Sequence, residues 1–421
     1  MTTEKFLLLF SNSFSLYLIS FSLIFVCFIP LLRRYCISVI SPEFINIIFL
    51  AFADAVPLYL YFIHKVDFDL FLYFITFELA FLIGLRIFKS DRLKYRHDFL
   101  IKDDDLAFIL FLFFFFVWLI FSLINYKNEG LGINKTYRLE NEKAISGPLK
   151  RFQYFSSEYL LVYTIHKLFR GKKKILCLFF IFVLSIQSIL SGSKASILNV
   201  IFFFYLYLVY YQHNIKPISK IIKFIPLIAI SPLIIYLSTG VSIYIAFSNY
   251  MLRFIAYGDP YWLSFPNRII EKINYNYPFF QLFAGFLSPT KLFPSYLFED
   301  YLGIQLNHIL YPTMTHITGA NARPPIFYFA LFNWGGVFWG FLLGVIISFI
   351  VFNLYKKMCK GFITTFIYFE IFMMAFNAIV DPNAALSSLF TLFINIIIIS
   401  VITLVVGKYK FKIEKSNIRI K

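Results

Sequence analysis

Long apolar runs separated by short polar connections set the pattern of this chain, with no sustained alternation of the kind a strand shows. The plainest run, LAFILFLFFFFVWLIFSLIN at 106–125, carries no charge. It has about the 20 residues a helix needs to cross hydrocarbon. Backbone groups cannot go unpaired in lipid, so such runs must be helices. Windows and breaks predict eleven spans, near 13–32, 44–62, 68–88, 106–125, 154–169, 174–191, 195–212, 219–238, 326–352, 361–380 and 387–407. Two connections are long, 126–153 and 238–325. The second is partly apolar: SIYIAFSNYMLRFIAYG and NYPFFQLFAGFLS predict helices lying at the interface or dipping in, with Tyr261 and Trp262 between them at headgroup depth. No repeat is visible, and residues 1–421 read as a single integral membrane domain of all-α polytopic class.

Composition agrees: 60% of residues are hydrophobic, 14% are charged and the mean hydropathy is +0.76, far above a soluble domain. The first run ends at Arg33 and Arg34 with no small-residue cleavage site, which predicts an uncleaved span. A net charge of +17 would suggest nucleic acid, but most of the 39 Lys and Arg cluster between spans. Their placement therefore speaks of orientation and not of a nucleic-acid partner. If 86–102 lies inside, strict alternation also puts RGKKK (170–174), Lys216/Lys220/Lys223, KKMCK (356–360) and the tail inside. The N-terminus and both long connections are then outside. Cys27, Cys36, Cys177 and Cys359 fall in spans or at their basic ends without metal-ligand spacing, which predicts neither a disulfide framework nor a zinc site.

The outer connections hold the candidate chemistry. Arg138, Arg151, Arg253, Arg268 and Arg323 lie there. A guanidinium matches phosphate oxygens with two parallel hydrogen bonds, although a lone arginine at a membrane end more commonly only reaches for headgroups. Arg253 and Arg323 sit among apolar or turn residues rather than in a basic cluster, which favours the phosphate reading for those two. His308 and His316 are the histidines of these segments; a neutral imidazole can accept a proton from an attacking hydroxyl, or serve as a hydrogen-bonding loop residue. Asp259, Glu299 and Asp300 are alternative carboxylates, equally suited to helix caps and turns. Lys194, beside the Ser-Gly-Ser turn of LSGSKASIL, is an anchor or a contact for one phosphate oxygen. Asp54, Glu78, Glu158 and Glu370 fall inside spans and should face a cavity or a partner, yet without matching basic residues they form no relay that the sequence reveals. Gly336, Gly340 and Gly344 repeat a small-xxx-small stripe that predicts close helix packing. Phosphate-loop, H-E-x-x-H, dinucleotide and C-x-x-C motifs are absent, which disfavours ATP hydrolysis, metalloproteolysis and nucleotide-cofactor chemistry.

With these residues in place, the chain resembles the Wzy-type O-antigen polymerases, which polymerise oligosaccharide repeat units. The resemblance spans nearly the whole chain: about a dozen spans, a large outer segment in the second half, LSGSKASIL, and ANARPPIFYFALFNWGGVFWG. It implies a GT-C-like, metal-independent, cofactor-free inverting glycosyltransferase of the bacterial inner membrane. Its partners would be undecaprenyl-pyrophosphate-linked oligosaccharide, the lipid bilayer and a chain-length regulator protein. Residues 126–153 become a first periplasmic loop and 238–325 a large one. Pyrophosphate contacts fall to Arg253 and Arg323, then Arg138 and Lys194; the base is His316 or Asp259. A flippase for the same lipid-linked units, an O-antigen ligase and an envelope acyltransferase are the rivals. A flippase should show internal repeats and short loops, and an acyltransferase needs a donor site, none of which is visible.

Overall fold

The computed structural model describes residues 1–88, 104–129, 147–171, 174–190, 196–212, 242–243, 252, 254–313 and 320–418, and among these there is no strand. The main helices are α1 (Thr3–Asn12), α2 (Phe14–Tyr35), α3 (Pro42–Phe62), α4 (Phe68–Arg86), α5 (Asp104–Glu129), α6 (Gly147–Phe169), α7 (Lys174–Leu190), α8 (Ser196–Leu206), α9 (Asp259–Ser264), α10 (Leu302–Leu310), α11 (Pro324–Phe332), α12 (Gly336–Phe349), α13 (Phe362–Val380) and α14 (Pro382–Ile418). Seven described helical segments are long and apolar enough to cross a membrane: Phe14–Tyr35, Pro42–Phe62, Phe68–Arg86, Asp105–Ile124, Pro324–Met358, Phe362–Val380 and Pro382–Val406. The chain is thus an all-α polytopic membrane protein. Three further expected spans are present as helices α6, α7 and α8, which are shorter or more polar than those seven; the span expected at 219–238 lies outside the described residues.

The chain forms two compact units, one comprising Met1–Tyr95, Ile218–Leu354 and Ile371–Ser387, the other Arg96–Pro217, Tyr355–Glu370 and Ser388–Lys421. In the first, α2 and α3 form an antiparallel hairpin: the Ser13 and Tyr59 hydroxyls meet at 2.7 Å, Tyr17 donates to the Phe52 carbonyl, and Phe21 stacks on Phe52. Ser41 starts α3 by accepting the Phe44 N–H, with Pro42 preset for the first turn. α1 folds against the 254–313 segment, where Phe6 stacks on Trp262 at 4.0 Å and the Thr3 N–H donates to the Tyr311 hydroxyl. Tyr261 and Trp262 are buried within the protein, at 0% and 3% exposed.

Among the described residues, the most extensive helix pairing is between α4 and α12. Gly336 faces the Tyr73 hydroxyl, Gly340 the Phe77 ring, and Gly344 the backbone of Phe81 and Leu85, so residue numbers rise together and the helices run parallel. The orientation predicted from basic clusters also runs these two spans the same way. Gly84 reciprocates, since a Cβ there would strike the Phe341 carbonyl and the Val345 N–H. The glycine stripe therefore works as expected, with its partner now identified.

The window 326–352, expected as one helix, is two. Asn333 takes φ 52° and ψ −131°, which no helix accommodates, and Gly336 packs against the backbone of Tyr328. In a straight helix residues eight apart are separated by ~12 Å. Trp339 stacks on both Tyr328 and Phe332 across the break. The cause is the NWGG turn, whose Asn and Gly tolerate positive φ while apolar neighbours hide it from a hydropathy window.

In the second unit α5 pairs with α6: Tyr159 donates to the Ala107 carbonyl, and Phe114 packs on Phe155 and Tyr159. The 362–370 stretch of α13 joins them through Phe366 against Phe155 and Tyr159. His166 is fully buried, its Nδ1 3.0 Å from the Tyr207 hydroxyl.

Because backbones touch at Gly344, Gly344→Ala is expected to destabilise the protein by about 1–3 kcal/mol through overpacking. At Gly335 a Cβ would meet only Phe332, at 3.5 Å, and Gly335→Ala should leave the thermal transition of the detergent-purified protein unchanged.

Candidate functional site

The residue before a proline is driven into extended backbone, and Arg323 obeys with φ −55° and ψ 138° immediately ahead of α11. Pro324 and Pro325 then start the helix. This geometry sends the arginine into the interior, where it is 1% exposed. Its Nε donates to the Tyr257 carbonyl at 2.7 Å and its Nη1 to the Ile379 carbonyl at 3.3 Å, and the guanidinium lies over the Tyr257 ring. Nη2 is buried with no hydrogen-bond partner.

Carboxylates surround this cation without pairing to it. Asp54 on α3, Glu78 on α4, Asp259 at the start of α9 and Asp381 ahead of α14 all lie within its electrostatic range. None of the ion pairs among the described residues includes Arg323. Asp54 accepts a 3.1 Å hydrogen bond from the Tyr261 hydroxyl, while its Oδ2 and the Oε2 of Glu78 are buried without partners. Asp381 is occupied with the backbone: it accepts the Ala384 N–H at 3.1 Å, and those of Ala322 and Asn383, capping α14 and fixing the residue next to Arg323.

Burial pushes the Asp259 carboxyl up to about 7, and the Arg323 charge opposes that rise. The residue as a whole is only partly buried, although its carboxyl is closely surrounded. Its position depends on Gly258, where a Cβ would strike Val56 and the Ala53 carbonyl. The segment carrying Asp259 and Tyr261 thus rests directly on the turn of α3 that carries Asp54. Close approach of two backbones needs the missing side chain here.

Of the six site residues expected from sequence, the structure brings together Asp259 and Arg323. Arg253, Arg138, Lys194 and His316 lie outside the described residues. Arg268, another of the candidate arginines, is committed elsewhere: its guanidinium bonds Asp67, Asp69 and Glu271, tying the 254–313 segment to the α3–α4 connection. Asn267 and Arg268 both adopt left-handed backbone to allow this. His308 is exposed on α10, and Glu299 holds the Asn276 N–H and side-chain amide, as a turn residue would.

The span carboxylates form no relay visible in sequence, but the structure gathers them in pairs. Asp54 and Glu78 share the surroundings of Arg323, and Glu158 hydrogen-bonds Glu370 within the second unit. Their cost of burial in spans was the available signal. Their grouping was not legible, because the partners are far apart in the chain. Among the described residues no group of three or more His, Cys, Asp or Glu could hold a metal ion.

Comparison of the chain with protein-family models, curated proteins and solved structures finds no match. Fold and site define a class, an all-α, multi-pass membrane protein with one buried, incompletely bonded arginine ringed by acids.

Asp259 gives a testable pH dependence. Its folded value of about 7 exceeds the ordinary 3.8, so between those values the folded protein holds more protons than the unfolded one. Stability from this group is therefore present below pH 4 and lost as pH rises toward 7. Thermal unfolding of wild type against Asp259→Asn across this range should show the wild type losing stability relative to the variant.

Proposed function

We propose that this protein is a metal-independent inverting glycosyltransferase that polymerises undecaprenyl-pyrophosphate-linked oligosaccharide repeat units into O-antigen or a related surface polysaccharide. The observation that carries this reading is that Asp259, whose carboxyl burial pushes up to about 7, lies within electrostatic range of Arg323, one of whose guanidinium nitrogens is buried without a hydrogen-bond partner. A general base works best with a pKa near the operating pH, and a preorganised cation stabilises a leaving group as its charge develops.

In this reaction the acceptor hydroxyl attacks the anomeric carbon of the growing glycan and its proton passes to Asp259, with His316 as the other candidate base. The bond from that carbon to the pyrophosphate oxygen breaks with inversion, and its electron pair leaves on the pyrophosphate. Arg323, together with Arg253, Arg138 and Lys194, stabilises that charge. Transfer needs no external energy, because the donor is already a pyrophosphate ester. The eleven-span, GT-C-like arrangement, the inner-membrane location and the periplasmic active site belong to the same proposal, as does a chain-length regulator partner.

A flippase for the same lipid-linked units is the second reading, favoured by Asp54 and Glu78, since buried span charges also mark transport paths. Deleting the gene and running the surface polysaccharide on a gel separates the two. Loss of the ladder with a single repeat unit still attached is the expected outcome; absence of any repeat unit would sink polymerisation in favour of the flippase or the ligase. Asp259→Asn and Arg323→Lys, checked for normal protein amount and monodisperse elution, should each abolish the ladder. An unchanged ladder from Arg323→Lys would remove the Arg323 phosphate contact from the scheme.

A further inference from the structure

Where α13 ends and α14 begins, the chain runs beside the entry to α11, and one acid holds the junction. Asp381 accepts the backbone N–H groups of Ala322, Asn383 and Ala384, the last at 3.1 Å. Two N–H groups on one carboxylate lie no more than about 8 Å apart, so Asn383 is a near neighbour of the residue that precedes Arg323. The Ile379 carbonyl at the end of α13 accepts the Arg323 Nη1 at 3.3 Å, which ties the same stretches a second time. Gly285 closes the junction. A Cβ there would strike the Asn383 carbonyl and the Ser387 N–H, so the first turn of α14 is pressed against the 254–313 segment.

Asn383 is 4% exposed, yet among the described residues neither its Oδ1 nor its Nδ2 has a hydrogen-bond partner. Buried amide groups are nearly always bonded, and leaving both ends unmet costs more than an apolar side chain of the same shape would. The cap of α14 does not need this amide, because Asp381 supplies it. Arg323 is in the same condition, 1% exposed with its Nη2 unmet.

The two unmet groups call for different chemistry. A guanidinium nitrogen only donates, and the oxygens of a phosphate or pyrophosphate satisfy it. An amide both donates and accepts. Anionic oxygens would meet Nδ2 but repel Oδ1, whereas hydroxyl groups answer both ends. A sugar joined to a phosphate presents the two kinds of group side by side.

We propose that Asn383 is a substrate-binding residue that takes hydroxyls of the sugar attached to the pyrophosphate held by Arg323. The proposal rests on the reading of Arg323 as a pyrophosphate contact, and it gives the neighbouring sugar a recognition group of its own. Such a site rejects a ligand without the hydroxyl, because the buried amide is then left unmet.

The test uses the full-length protein in detergent and two probes: undecaprenyl pyrophosphate, and undecaprenyl pyrophosphate bearing the repeat unit, purified from cells deleted for this gene. Wild type should bind the sugar-bearing lipid more tightly by about tenfold or more. Asn383→Leu and Asn383→Ala should erase that preference and leave the affinity for undecaprenyl pyrophosphate unchanged. Neither should lower the thermal transition, since each removes unmet polar atoms from the interior. Arg323→Lys should weaken both lipids alike. No preference in wild type, a preference retained in both Asn383 variants, or a lowered transition in both would overturn the role of Asn383 and leave the Arg323 contact standing. Binding of neither lipid to wild type, or binding that Arg323→Lys does not weaken, would overturn the Arg323 reading and this proposal with it.

Discussion

A charge that cannot be neutralised by losing its proton dictates the arrangement of the first unit. Arg323 is buried, so everything near it must supply acceptors or opposite charge. The Tyr257 carbonyl of the outer segment and the Ile379 carbonyl of α13 supply the first. Asp54, Glu78, Asp259 and Asp381 lie within its electrostatic range. Parts of the chain far apart in sequence are thereby held around one guanidinium. The raised carboxyl of Asp259 follows from the same enclosure, because burial acts on it more strongly than the arginine does.

Two further devices keep this site in place. Gly258 lets the 254–313 segment lie directly on α3, and Arg268 ties the same segment to the connection entering α4. The first contact is apolar and insensitive to salt. The second is exposed, and salt will weaken it. The outer segment is thus fixed by backbone approach near the acids and held by screened charges further out.

Helical class and most of the spans were legible, because hydrocarbon thickness and backbone satisfaction leave few alternatives to a long apolar run. The stripe at Gly336, Gly340 and Gly344 announced close packing for a similar reason, since only small residues allow it. Its partner α4 was not legible, as the matching glycine at position 84 is single and carries no pattern. The break at Asn333 was missed because averaging over a window erases one residue of positive φ. At the site, Asp259 and Arg323 were named as separate candidates, and their proximity came only from the fold. Asp54, Glu78 and Tyr261 were missed as site members because a span acid announces a need for a partner but not which one.

The pairing of α4 with α12 also bears on how the protein is made. Gly84 and Gly344 touch, but about 260 residues of chain separate their synthesis. At roughly 5–20 residues per second, the groove on α4 waits roughly ten to fifty seconds for the helix that fills it. During that interval the glycine-matched surface of α4 is without its partner. Ribosome pausing or slow insertion in the second half of the chain therefore prolongs the life of an unpaired α4, and degradation of nascent chains should concentrate there.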